Sequence, residues 1–263
     1  MSDDLHETLS RGELSVIGRI RTASNATFLC EATLGDVTVE CVYKPVAGEQ
    51  PLWDFPDGTL AGREVASYLI SAALGWDIVP RTILREGPAG PGMVQLWIES
   101  PEDADGPGLV DLRPSDSVPA GYLSIITAYD YSGGEVTLVH ADDPRLRRMA
   151  VFDVIVNNAD RKGGHILTGT DGGVYGVDHG VSMHVQDKLR TVLWGWAGDP
   201  IDADTLGRIA DVHERLTGDL GTSLREHITA AELAALRGRI RDLLDDPVMP
   251  EPDGRRPLPW PAF

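Results

Sequence analysis

Two acid-bearing segments dominate the chemistry of this 263-residue chain: Asn157-Asn158-Ala159-Asp160-Arg161-Lys162-Gly163-Gly164-His165 and Val177-Asp178-His179-Gly180. Asp160, Lys162 and His165 fall at positions zero, two and five, and Asp178 follows eighteen residues after Asp160, beyond a short hairpin-like stretch. Two carboxylates so placed meet both demands of phosphoryl transfer. One orients an attacking hydroxyl, and the other holds the divalent ion that neutralises nucleotide phosphates. The bland alternative is a helix C-terminus that merely precedes an unrelated turn aspartate. It requires both acids and both turns to coincide by accident.

The elements that must position these residues can be read from periodicity. Residues 13–20, 27–34 and 37–43 are β-rich runs, and residues 78–84 and 93–99 form two further candidate strands. Between them, Asp57 or Thr59 caps a helix over residues 60–74 that stops at Gly75. Residues 101–120 are broken by prolines, glycines and acids and carry no hydrophobic period, which predicts a connector. Beyond it, residues 122–129 and 135–139 pair across Ser132-Gly133-Gly134, and a helix opening at Pro144 runs out near Asn157. Residues 165–167 and 174–177 form a hairpin, and helices follow over residues 204–216 and 230–244. The proline-rich end, 247–263, packs only if Trp260 and Phe263 find a groove. The expectation is an α+β chain of two lobes. Residues 1–100 form an antiparallel sheet plus one helix, 101–120 a connector, and 121–263 a mainly helical lobe with a small hairpin beside the acids.

Counting the strand register about Gly35-Asp36 places Cys30 opposite Cys41 and Lys44 opposite Thr27, on the same side as Val42. A lysine beside a small apolar residue suits a nucleotide, offering contact to the base and a cation to the phosphates. A strand-end lysine snorkelling to water is the ordinary alternative. Glu64 shares a helical stripe with Leu60 and Tyr68, so it points inward, where an unpaired carboxylate is costly. Lys44 would satisfy it. The alternative is an exposed glutamate favoured by the helix dipole. The loop 21–27 has no glycine, and neither a G-x-G-x-x-G loop after a strand nor a G-x-x-x-x-G-K-[ST] loop marks the phosphate site. Ser24 and Asn25 are the candidate phosphate donors there, unless they are only a polar turn.

A formal net charge of -18 excludes sequence-independent nucleic-acid binding and argues against docking on anionic membranes by charge. No basic and apolar leader and no stretch near about 20 apolar residues is legible, so a soluble, cytoplasmic protein without stable membrane insertion is expected. In a reducing cytoplasm Cys30 and Cys41 are expected as two buried thiols rather than a disulfide.

Lys44, Glu64, Asn158-Ala159-Asp160-Arg161 with His165, and Val177-Asp178-His179-Gly180 resemble the atypical kinases of the phosphatidylinositol 3-/4-kinase and HipA superfamily over roughly residues 13–200. Val42-Tyr43-Lys44-Pro45, Pro51-Leu52-Trp53-Asp54-Phe55-Pro56 and the Asn157–His165 stretch are more similar to an actinobacterial phosphatidylinositol-kinase-like family, over nearly the whole chain. The resemblance implies a two-lobed protein-kinase-like fold and an ATP-dependent phosphotransferase using Mg2+ or Mn2+. Its acceptor would be a hydroxyl of a protein, of a small molecule or of itself. It implies that Lys44 contacts the nucleotide phosphates and Glu64 anchors it. Residues 95–99, Gln95, Leu96, Trp97 and Ile98 among them, would form the edge that hydrogen-bonds adenine, Asp160 would be the catalytic acid with Lys162 as the phosphate-contacting lysine, and Asp178 with His165 would be the metal ligands. Two departures stand out. His165 replaces an asparagine, which leaves three alternatives: it binds a softer ion such as manganese, contacts phosphate, or marks lost activity. His179 replaces an aromatic residue, which is expected to affect packing.

Two other classes remain open at this point. A degenerate kinase would bind nucleotide and metal as a switch. A metal-dependent hydrolase would use His165, Asp178, His179 and His184, with His140 nearby, and would leave Lys44 and Glu64 without a role. Trp194-Gly195-Trp196 is either an acceptor-contacting surface or core.

Overall fold

The computed structural model describes residues 2–21, 25–101, 108–253 and 256–263. Ser24 and residues 102–107 of the expected connector lie outside the described residues.

The chain opens with a helix, α1 (Ser2–Arg11), followed by β1 (Glu13–Arg19), β2 (Phe28–Leu34) and β3 (Val37–Pro45). Then come α2 (Leu60–Leu74), β4 (Thr82–Gly87) and β5 (Gly90–Leu96). The strands form an antiparallel sheet in the order β1-β2-β3-β5-β4. Alternation along β3 gives its two faces different work. Cys41 and Tyr43 join Leu9 of α1, Cys30, Ala32 and Val94 in one buried cluster, while Val42 and Lys44 turn to the opposite face. Cys30 lies directly across from Cys41, and both are free, buried thiols.

The helix α1 is absent from the sequence expectation. Only Leu5 and Leu9 carry its apolar spacing amid acids, too short a pattern to register, and the sheet face it covers decides the matter. The β4 and β5 strands also sit several residues from their expected positions. Ile78 and Val79 are buried but serve the core beside α2, where their N–H groups bond to Ser71 Oγ at 2.9 and 3.1 Å. Residues Trp97 and Ile98 continue past the sheet as the link to the second half.

α2 has the bounds its sequence signals predict. Thr59 accepts a bond from Gly62 N, and Gly75 ends the helix at φ 65°, a left-handed conformation that costs glycine nothing. This helix faces two ways. Ala61 and Val65 pack on Met93 of the sheet, whereas Ala66, Ile70 and Leu74 enter the large core of the helical half.

That half begins with a second antiparallel sheet, β6 (Val110–Pro114), β7 (Tyr122–Tyr129) and β8 (Glu135–Ala141), in the order β6-β8-β7. β6 lies within the stretch expected to be connector. Five residues ending in proline are too few to display a period, and pairing to β8 makes them a strand. Next are α3 (Pro144–Val156), the hairpin β9 (Ile166–Thr168) and β10 (Val174–Gly176), then α4 (Ala203–Arg215), α5 (Asp219–Leu224) and α6 (Ala230–Asp245). The core gathers Phe152, Ile155, Leu236 and Ile240 with α2 and the strands. Arg63 of α2 pairs with Glu232 of α6 at 2.6 Å, both buried, and Lys188 reaches Asp54 of the loop before α2 at 2.9 Å. No described helix is long and apolar enough to cross a membrane.

Candidate active site

The site is assembled where α3 stops. Asn157 closes the helix at φ 53°, and its side chain bonds His184 O, Gln186 O and Lys188 N at 3.0, 2.7 and 2.9 Å. One turn earlier, fully buried Asp153 accepts bonds from Arg161 Nη2 (2.9 Å), Asn158 Nδ2 (3.0 Å) and Thr191 Oγ1 (3.1 Å). Asn158 Oδ1 in turn accepts the Asp160 N–H at 3.0 Å. The loop bearing Asp160 is therefore fixed from inside by a carboxylate, a guanidinium and an amide.

Arg161 also ties that loop to the next one. Its Nη1 donates to Val177 O at 3.2 Å, and its Nη2 donates to His179 Nε2 at 2.5 Å. His179 is buried and meets Phe152 edge-on with ring centroids 5.6 Å apart, so its imidazole packs as part of the core. Burial, with Arg161 alongside, pushes its pKa well below the ordinary histidine value. Asp178, just before it, adopts φ 64°, a left-handed conformation that aspartate tolerates better than most residues.

The ionic centre joins the two halves. Lys44 Nζ lies 2.8 Å from Glu64 Oε1 and 2.7 Å from Asp178 Oδ1, and Glu64 Oε2 accepts the His179 N–H at 2.9 Å. Burial acts to lower the Lys44 pKa, but Glu64 and Asp178 together outweigh it and raise it above the ordinary lysine value. The same Lys44 charge holds the Asp178 carboxyl well below the usual range, against the opposing effect of its desolvation. His165 Nε2 stands 3.4 Å from Asp178 Oδ2; burial lowers the imidazole pKa to about 4, so the ring is neutral at physiological pH. Its Nδ1 is buried and has no hydrogen-bond partner among the described residues, so Nε2 is the nitrogen that faces Asp178. Lys162 Nζ is 3.3 Å from Asp160 Oδ2, and desolvation raises the Asp160 pKa despite that lysine.

Two recesses meet at this centre. One, of about 360 Å³, runs between Val42 and Leu167 past Gln95, Leu96, Trp97 and Ile98, and ends at Lys44, His165 and Asp178. The other, of about 210 Å³, lies on the far side of Lys44, against Asn25, Glu64, Asp160 and Asp178. Among the residues named for the adenine edge, several groups are already engaged. Gln95 Nε2 donates to Thr82 Oγ1 at 2.8 Å, Leu96 N to Arg81 O at 2.9 Å and Trp97 N to Glu40 O at 3.0 Å. Asn25 Oδ1 accepts the Gln50 N–H at 2.9 Å, which joins the strand-connecting loop to the loop before α2.

Sequence reasoning missed Asp153, Asn158, Arg161 and Glu49 as organisers. An acid on the buried stripe of α3 was a usable signal, since it demands a cation. Glu49 left none: its carboxylate caps the Leu60 and Ala61 N–H groups at 3.0 and 2.8 Å from outside the helix. The imidazoles of the hydrolase alternative are dispersed. His140 is held between Ala141 O and Gly195 N and lies against Trp196, and His184 accepts the Gln186 N–H. Among the described residues no group of three or more His, Cys, Asp or Glu side chains is arranged to hold a metal. Trp194 and Trp196 are both buried, which makes that pair core.

An antiparallel sheet set against a helical half, with a cleft between them and an ion-paired lysine at its inner end, is the arrangement of a protein-kinase-like fold. The Golgi casein kinase structure superposes on 92% of this chain and 73% of its own, with a TM-score of 0.55 at 13% identity. The proinflammatory kinase CtkA of Helicobacter pylori matches more loosely, with a TM-score of 0.47 at 11% identity over 92% of this chain and 94% of its own. The chain belongs to the same family as Protein Rv2133c of Mycobacterium tuberculosis, 62% identical over 269 residues that span 100% of this chain and 97% of that protein. No family model matches the chain.

Proposed function

We propose that the protein is an ATP-dependent phosphotransferase of the atypical-kinase type, passing the γ-phosphate to a hydroxyl of a protein, of a small molecule or of itself. The observation that carries this reading is Lys44, held between Glu64 and Asp178 at 2.8 and 2.7 Å where the two recesses meet. A cation fixed by one inward carboxylate is preorganised for nucleotide phosphates and needs no rearrangement to meet them.

In this reading Val42, Gln95, Leu96, Trp97 and Ile98 enclose the base, and Asn25 stands at the phosphates. Asp160 takes the proton of the attacking hydroxyl, a task suited to a carboxylate whose pKa is raised. Lys162 offsets the negative charge that gathers at the acceptor oxygen. A carboxylate oxygen and a neutral imidazole nitrogen 3.4 Å apart fit a divalent ion, so Asp178 and His165 would hold Mg2+ or Mn2+, the latter matching the imidazole better. When bound, the ion would neutralise charge on the β- and γ-phosphate oxygens.

The test is label transfer from [γ-32P]ATP with Mn2+ or Mg2+, scored separately in the protein itself, in small-molecule fractions and in phosphatidylinositol vesicles. Asp160→Ala is expected to lower transfer by on the order of 10²–10⁴. Equal transfer by both forms would sink the kinase mechanism. The replacement of an asparagine by His165 favours one second reading, a degenerate kinase that binds nucleotide as a switch. Thermal stabilisation by ATP and Mn2+ without transfer by the wild type selects that reading.

A further inference from the structure

The end of the chain returns to the loop that bears Asp160. Pro257 O accepts the Thr191 N–H at 3.2 Å and the Trp194 Nε1–H at 3.0 Å. Pro259 is buried, and Leu258 and Ala262 pack at the border of the main core. Ala262 O then accepts the Gly163 N–H at 2.8 Å, and the Phe263 ring lies so close over Gly163 that a methyl group there would overlap the ring carbons.

These contacts fall on both sides of the candidate catalytic loop. Thr191 bonds Asp153, and the neighbouring Arg190 O accepts the Arg161 N–H at 3.0 Å. Gly163 lies between Lys162 and His165. Two successive glycines leave that stretch without side chains of its own to hold it, and glycine loses more chain freedom on ordering than any other residue. A backbone bond from His165 N to Lys162 O at 3.1 Å closes the turn, and Phe263 adds a restraint from outside by occupying the room that Gly163 leaves.

We propose that residues 257–263 are a positioning strap, which sets Lys162 and His165 relative to Asp160 through the Ala262–Gly163 hydrogen bond and the Phe263–Gly163 contact. The catalytic consequence rests on the kinase reading; the mechanical one does not. Phe263 is half exposed, so its truncation removes little core.

The experiment compares Phe263→Ala, Phe263→Leu, Gly163→Ala and the double variant Gly163→Ala/Phe263→Ala, in the full chain. Phosphate transfer is measured alongside amide hydrogen exchange over residues 162–167. Phe263→Ala is expected to lower kcat about tenfold, as small misplacements of reacting groups do, while the KM for ATP moves less than about twofold. Phe263→Leu restores most of the rate. Gly163→Ala expels the ring and gives a similar loss, and the double variant is no slower than either single variant because both break one contact. Losses that multiply, or unchanged exchange in Phe263→Ala, would overturn the strap. If the wild type transfers no phosphate, the kinase reading falls alone. Faster exchange in Phe263→Ala then still supports the strap, and unchanged exchange removes it.

Discussion

Two ionic clusters flank the Asp178-His179 pair, and they are built on opposite principles. Asp153 and Arg161 are both wholly buried within the helical half, and every oxygen of Asp153 is bonded. Lys44, Glu64 and Asp178 cross between the halves, and Asp178 keeps 51% of its side-chain surface exposed. The first cluster cannot be opened without stranding a charge away from water. In the second, Asp178 can exchange Lys44 for solvent or ligand, while buried Glu64 depends on the lysine. The difference separates a closed ion pair from an open one: Arg161 fixes the loop from within, and Lys44 joins it to the sheet.

The sharpest way to break this contrast is Arg161→Met, which leaves the Asp153 carboxylate buried without a cation. Urea unfolding is expected to show a loss of about 3–5 kcal/mol, the cost of breaking a buried pair from one side. An unchanged midpoint would place Arg161 among the dispensable groups. Lys44→Met is the matching variant in the other cluster. Here Asp178 can turn to water, but Glu64 is buried and keeps only the His179 N–H, so a loss of about 3 kcal/mol is expected. Nucleotide binding, read by calorimetry, should weaken at least about tenfold, the worth of one charge-assisted contact. Retained affinity with lost stability would reverse the assignment of the two clusters.

A smaller effect concerns protons. His165 has a folded pKa of about 4 against an ordinary 6.5, because burial disfavours the charged ring. Between those values the unfolded chain binds more protons than the folded one, so stability rises with pH across that window and is lost as pH falls through it. Acidifying from about pH 6.5 to about pH 5.5 should cost about 1 kcal/mol through His165 alone. His165→Gln should flatten the corresponding drop in thermal midpoint. An equal slope in both proteins would show that other groups carry the acid sensitivity.

The gathering of Lys44, Glu64, Asp160 and Asp178 was more legible in the sequence than several elements of the frame around it. Asp160, Asp178 and the Lys44–Glu64 pair were legible because each sits in a short pattern with a local reason: loop spacing, strand register, an inward helical position. What escaped notice is long-range. The Gly163–Phe263 contact and the bonds of Asn157 to residues 184–188 join segments with no shared period. Only the closed chain makes them neighbours. The same holds for β6, whose few residues become a strand through β8, and for α1, which has meaning only as the cover of the sheet's outer face.

The two-faced packing of α2 has a mechanical consequence. With Arg63 paired to Glu232 and three of its residues in the main core, while Ala61 and Val65 hold Met93 of the sheet, the helix is a wall shared by both halves. Glu64 stands on that wall, so the carboxylate that fixes Lys44 is anchored to both bodies at once.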